Sequence, residues 1–498
     1  MAEKENDKCW RGYRKIRALM HYWWSCELIQ PFWRTIWNHA QRATKLCIPF
    51  NLTISLPGVL LGLCWILVWS YTGAEVYPGG SMFGILIIFY CSIVGGKLME
   101  IIKIPVVPPL PPLLGMLLGG FIVRNTPVIR DSVYINQVWS SHLRNTALTI
   151  ILVQAGLGLD PQALKKLKGV CLRLSLGPCC LEACSAAVFS HFIMKFPWRW
   201  GFLLGFVIGA VSPAVVVPSM LILQKQGYGV KKGIPTLLTA ASSFDDILAI
   251  TGFNTLLSIT FTSGPVYKNV IKGFYEIVIG VTGGIIMGYF VRYFPSNEQT
   301  ILAWKRAFLL LSLSVVAVIG SNRVGLQGAG GLATVVLTFV SALGWNQEKA
   351  RVQDIIARTW HIFQPLLFGL VGAEVSVTSL ESNTIGFCVG TLSLSLLVRI
   401  TVTFLLVSFA GFSYKEKIFV ALSWIPKATV QAVLGPLALE ETRRRNQTHL
   451  EVYAKNVMTM AFLAILMTAP NGALLIGLLG PKVLSLDKPE ETGEIISQ

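Results

Sequence analysis

Residues 233–261 read GIPTLLTAASSFDDILAITGFNTLLSITF. Wound as an α-helix, a run of that length extends about 43 Å, enough to cross a hydrocarbon core of roughly 30 Å. Every side chain in it is uncharged except Asp245 and Asp246 near the middle. An ionisable group at the centre of a membrane helix costs at least about 2.5–3.5 kcal/mol on insertion scales, so two adjacent acids need a compensating reason. They stand far from either helix end, beyond rescue by snorkelling. Neighbouring helix positions diverge by about 100°. One carboxylate can therefore face an aqueous cavity while the other meets an adjoining helix.

The rest of the chain repeats the apolar run. Of 498 residues, 53% are hydrophobic and 13% charged, and mean hydropathy is +0.61; soluble domains carry roughly 25% charged residues. Further runs centre on 52–70, 82–101, 105–123, 133–157, 169–195, 199–223, 270–294, 302–320, 329–344, 357–378, 384–411, 416–440 and 455–480. The expected architecture is an all-α polytopic membrane protein of about fourteen transmembrane helices. With a cytoplasmic N-terminus, the basic connections at Lys165, Lys166 and Lys168, at Lys225, Lys231 and Lys232, and at Lys415 and Lys417 all fall inside, together with the C-terminus. Arg443, Arg444 and Arg445 dissent, falling outside beside the Asn446-Gln447-Thr448 glycosylation sequon.

Three segments follow: a basic, aromatic interfacial stretch over 1–50, the transmembrane domain over 51–484, and a tail over 485–498. The first stretch interleaves Arg11, Arg14, Lys15 and Arg17 with Trp10, Tyr13, Trp23 and Trp24, which suits the headgroup layer. It lacks a short apolar core with a cleavage site, so no signal peptide is expected. The formal net charge of +17 is assigned to helix flanks and lipid surfaces, with no nucleic-acid partner. Ten scattered cysteines lack zinc spacing, and the six histidines form no catalytic cluster, so neither a metal centre of that kind nor an enzyme is expected.

Two motifs recur. Gln154-Ala155-Gly156-Leu157-Gly158-Leu159-Asp160 and Phe368-Gly369-Leu370-Val371-Gly372-Ala373-Glu374 are each a glycine-spaced run closed by an acid. About fifty residues after each comes a proline break at membrane depth: Ser212-Pro213-Ala214-Val215-Val216-Val217-Pro218, then Ile425-Pro426-Lys427-Ala428-Thr429-Val430-Gln431. Six spans, a linker span and six more make two six-helix inverted repeats, the architecture in which broken helices cross and expose their ends to a substrate.

Three more charges lie inside spans: Glu182, Arg399 and Lys427. Glu182 and Arg399 occupy matching helices of the two repeats, and inverted symmetry predicts an ion pair between them that supports the site. Lys427 is expected to neutralise Asp245 or a broken helix end. Carboxylates are hard ligands for a small cation, with carbonyls and the hydroxyls of Ser212 and Thr429 expected nearby. The same oxygens bind protons, and the acids titrate as a coupled pair. Competition at a site that crosses only when neutralised yields exchange.

At Ser243-Phe244-Asp245-Asp246, at Ser212-Pro213 and at Trp424-Ile425-Pro426-Lys427-Ala428-Thr429 the chain resembles the cation/proton antiporter superfamily, specifically the NHA branch of animal sodium/hydrogen exchangers related to bacterial NhaA and NapA. The resemblance runs from Leu52 to Leu484. It implies an elevator-like transport domain moving against a dimer domain, sodium or lithium exchanged for protons, Asp246 as principal ligand with Asp245 beside it, and no organic cofactor. It also implies a homodimer, with an anionic lipid at the dimer contact as one expected partner; the sequence leaves plasma, endosomal, lysosomal and mitochondrial membranes open. Bacterial two-aspartate members carry a lysine where this chain has Arg399, and many single-aspartate exchangers pair such an arginine with a glutamate. A rival reading is a sodium-coupled organic anion symporter with a bile-acid-transporter-like fold, which shares crossed helices; it needs a cavity rich in hydroxyls and amides, and Asn and Gln are sparse within the spans.

Overall fold

A computed structural model of the protein describes residues 52–102, 110–130, 132–159, 168–261, 266–296, 298–345, 348–377 and 382–486. The segment 1–50, Asp160, Lys165, Lys166 and most of the tail lie outside them. The chain divides after Val76. The first unit holds α1 (Leu52–Thr72) and a 3-10 turn, Gly73–Val76.

The second unit is also helical. Its longer helices, apart from single turns at Pro127–Arg130 and Thr448–Leu450, are α2 (Ser81–Ile101), α3 (Pro112–Asn125), α4 (Gln137–Gly158), α5 (Lys168–Met194), α6 (Trp198–Ile208), α7 (Pro213–Lys225), α8 (Ile234–Phe261) and α9 (Val266–Tyr293). They continue through α10 (Leu302–Val324), α11 (Gln327–Ala342), α12 (Glu348–Glu374), α13 (Ser382–Val407), α14 (Tyr414–Leu422), α15 (Thr429–Arg444) and α16 (Glu451–Val483). Among the described residues, seven stretches are long and apolar enough to cross a membrane by length and composition: α2, α5, α6 with α7, α9, α10, α13 and α16. Helix α8 falls short of that hydropathy because its middle carries Ser242, Ser243, Asp245 and Asp246, all buried against other helices.

Local chemistry sets the helix ends. Asn136 caps α4 by accepting from the backbone N–H of Val138 and Trp139, and Ser413 with Glu416 forms a capping box on α14. Pro213 opens α7 at the first helical position, where its missing N–H costs nothing.

The helices of this unit sort into two groups. In one, α5, α6, α7, α8, α13, α14, α15 and α16 pack on one another; in the other, α2, α3, α4, α10, α11 and α12 do so, with α9 laid along α11. Between the groups, α8 packs against α4 and α11, and α15 against α4 and α12. In the second group the backbones approach closely enough to require glycine. A Cβ on Gly120 of α3 would sit 1.9 Å from the carbonyl oxygen of Gly369, and one on Gly372 would sit 2.1 Å from that of Leu117. Small residues at such crossings replace the water-driven attraction that helices in lipid lack. The glycine-spaced run 368–374 is thus the face of α12 that receives α3. Large apolar side chains such as Leu172 and Leu181 on α5, Ile286 on α9, Phe308 on α10 and Leu397 on α13 are exposed, as a lipid-facing surface requires.

Candidate functional site

Two helical stretches are interrupted, and their breaks meet. Helix α6 ends at Ile208 and α7 begins at Pro213; α14 ends at Leu422 and α15 begins at Thr429. The intervening strands of chain meet, with the backbone N–H of Ser212 donating to the Pro426 carbonyl at 2.7 Å. The hydroxyls of Ser212 and Thr429 lie 3.4 Å apart, and the Thr429 N–H donates to Ser212 Oγ at 3.4 Å.

A helix that stops inside a membrane exposes unpaired carbonyls. At the end of α6 they are taken by side chains from the second half of the chain. Gln431 Nε2 donates to both Val207 and Ala210 at 3.0 Å, Lys427 Nζ donates to Ile208, and Arg399 donates to Gly209. Carbonyls at this break, expected from sequence as cation ligands, already have donors. The Arg399 Nε also reaches the Trp424 carbonyl at 3.0 Å, at the end of α14.

The five intramembrane charges named from sequence come together, all buried. Arg399 pairs with Glu182, as repeat symmetry predicts, and its second nitrogen holds Asp245 Oδ2 at 2.8 Å. That same oxygen accepts from the Val211 N–H at 2.6 Å. Lys427 Nζ lies 2.7 Å from Glu182 Oε1, so it serves Glu182 and the helix end, with no hydrogen bond to Asp245. Asp246 differs from its neighbour: it is 1% exposed, and neither carboxylate oxygen has a hydrogen-bond partner among the described residues. The other Asp245 oxygen, Oδ1, is likewise unpartnered. Three negative and two positive groups sit within one buried cluster, and the uncompensated oxygens are carboxylate oxygens.

A cavity of about 490 Å³ is lined by Gln137, His142 and Asn145 of α4, Asn254 and Leu257 of α8, and Glu440 and Arg443 of α15, and none of the five clustered charges lines it. Its wall includes Ile250, one helical turn beyond Asp246 on the same side of α8. Around the mouth, Arg144 is buried and bridges Glu374 at 3.5 Å and Glu440, while Arg443 lies 3.9 Å from Glu374. The arginines that violated the positive-inside pattern are paired here: Arg444 and Arg445 with Glu441, and Arg443 with Glu451. Sequence reasoning missed Arg144, Glu440 and Gln431. Gln431 closes the second proline motif, and its position there was the available signal.

The family described as "Sodium/hydrogen exchanger, transmembrane" matches residues 85–479. The human protein sodium/hydrogen exchanger 9B1 is 65% identical over 428 residues, covering 86% of this chain and 83% of its own length. Human sodium/hydrogen exchanger 9B2 is 58% identical over 451 residues, covering 90% and 84%. In fold, the chain is similar to the sodium proton antiporter MjNhaP1 from Methanocaldococcus jannaschii, with a TM-score of 0.64 at 19% identity over 81% of this chain and 98% of that one.

Proposed function

Because this chain belongs to the sodium/hydrogen exchanger family, a multi-pass integral membrane transporter and not an enzyme, we propose that it exchanges sodium or lithium for protons by competition at Asp245 and Asp246. The observation that carries this reading is the contrast within the pair. Asp245 is fixed through Oδ2 by Arg399 and the Val211 N–H, whereas Asp246 is buried with both oxygens unpartnered. A buried carboxylate without a donor is costly unless a cation or a proton occupies it. Asp246 is the principal ligand, Asp245 the oriented second one.

Charge counting argues for one cation per proton. Glu182, Asp245 and Asp246 contribute −3 and Arg399 and Lys427 contribute +2, leaving −1. One monovalent cation or one proton neutralises the cluster, and the neutral form is the one that crosses at low cost.

The movement is of the elevator type. The group holding α5–α8 and α13–α16 carries the ion past the group holding α2–α4 and α10–α12, with α9 as linker. Fourteen crossings result: α1, six from α2 to α8, the linker α9 and six from α10 to α16, each broken pair counting once. Inverted repeats are supported by two contacts, Glu182 with Arg399 and Ser212 with Thr429, each joining residues 217 apart in sequence. Matching elements of the two halves meet each other in this way when a two-fold axis runs between them. The breaks also match in their partners: the Val211 N–H donates to Asp245 of α8, and the Lys427 N–H donates to Thr468 of α16. The second repeat thus has a hydroxyl where the first has an acid, which leaves one ion site. The protein works as a homodimer with both termini cytoplasmic, so the cavity opens to the outer side.

The test uses purified protein in liposomes with a pH-sensitive dye inside and no organic solute. An imposed sodium gradient should drive proton movement that a clamped membrane voltage does not alter. Asp246→Asn should abolish it, a loss of more than about a hundredfold, while the variant remains inserted and folded. Exchange at the wild-type rate by that variant removes the assignment.

A further inference from the structure

The side-chain amide of Gln431 lies in the first turn of α15, fully buried. Its nitrogen faces two carbonyl oxygens, Val207 and Ala210, and only the NH2 end of an amide can satisfy two acceptors. The Ala210 carbonyl and the Val211 N–H belong to one peptide unit, and that N–H donates to Asp245 Oδ2 at 2.6 Å. The chain of contacts runs from Gln431 to the Ala210 oxygen, across a rigid planar peptide, and from the Val211 N–H to the aspartate. A donor on a peptide oxygen polarises that peptide and strengthens the hydrogen bond its N–H makes.

We propose that Gln431 is a positioning residue for exchange, acting on Asp245 through the Ala210–Val211 peptide. The inference rests on the reading of Asp245 and Asp246 as the cation site. Gln431 does not touch the ion. It fixes the extended chain at the end of α6 so that the Val211 N–H points at Asp245, and it supports the charged carboxylate that the cation needs. The charged and titratable groups around Asp245 are Arg399 from α13, Glu182 and the Cys179 and Cys180 thiols from α5, Lys427 from the second break and Asp246 on its own helix. None of them is altered by a change at Gln431.

The experiment titrates sodium against reconstituted full-length protein at several pH values. Gln431→Met keeps the length and removes the donor. Its KM for sodium should rise about three- to tenfold near neutral pH, and the pH of half-maximal exchange should move upward, because protons then compete better for a carboxylate with less support. At saturating sodium and alkaline pH its maximal rate should stay within about twofold of wild type. Gln431→His, which keeps an N–H at similar reach, should recover most of the shift. An unchanged KM and pH profile in Gln431→Met, or a fall in maximal rate alone, overturns the proposal. Should the methionine variant not insert, Gln431→Asn, too short to reach both carbonyls, is read with the same outcomes. Asp246→Asn in the same preparation separates the two ideas: if it still exchanges, the site reading has failed, and if it is dead while Gln431→Met is unshifted, only the role of Gln431 has.

Discussion

Arg399 holds four groups at once: Glu182, Asp245 and the carbonyls of Gly209 and Trp424. The sequence suggested a two-member pair with Glu182, and such a pair would tolerate a charge swap better than the loss of either member alone. The structure alters that expectation, because a glutamate at 399 would face Asp245 and two carbonyl oxygens. Arg399→Gln should lower stability by about 3–5 kcal/mol, the usual consequence of stripping one partner from a buried ionic cluster, and should abolish exchange. Glu182→Gln should be milder, since Arg399 keeps Asp245 and Lys427 keeps the Ile208 carbonyl. The double swap Glu182→Arg with Arg399→Glu should rescue neither. Thermal unfolding in detergent together with liposome exchange measures all three, and wild-type exchange by the swapped protein would contradict this arrangement.

Between elements, the decisive quantity is the distance between backbones. Helices α3 and α12 meet through Gly120, Gly369 and Gly372, where a single added carbon has no room. Gly120→Ala should cost about 1–3 kcal/mol, the range for overpacking a tight contact, read as a lower melting temperature of the purified protein. Gly283→Ala on α9, where a Cβ meets nothing within 4 Å, is the matched control. Equal melting temperatures for the two variants would refute the close approach. The glycine spacing of 368–374 was visible in the sequence, but its partner was not. Which helix a glycine face receives depends on the crossing of α12 with α3, more than two hundred residues away.

On the scale of the whole transporter, the ion pairs at the cavity mouth tie its two helix groups together. Arg144 of α4 and Glu374 of α12 belong to one group, Glu440 and Arg443 of α15 to the other. If the groups slide past each other, these contacts break, so they favour the arrangement in which this cavity is open. Glu374→Gln should reduce the labelling rate of a cysteine placed at Leu257 by roughly tenfold, a bias of about 1.4 kcal/mol between access states. The reagent is a membrane-impermeant thiol probe, used in a background with the exposed cysteines replaced. An unchanged rate would mean that the pairs do not bias access. The acid closing the second glycine run was legible as a motif, yet its role as a tie was not. By itself the sequence determined the helical membrane class, which charges fall inside apolar runs and the positions of the two breaks, because hydropathy, proline and the cost of an intramembrane acid act locally along the chain. Only the tertiary structure decided which aspartate is held and which is left without a donor, and that Gln431 donates to the peptide whose N–H meets the held one. Those outcomes depend on contacts between residues 154 and 221 apart, as in Asp245 with Arg399 and Ala210 with Gln431. Such contacts are fixed by how the broken helices cross and not by any local property of the chain.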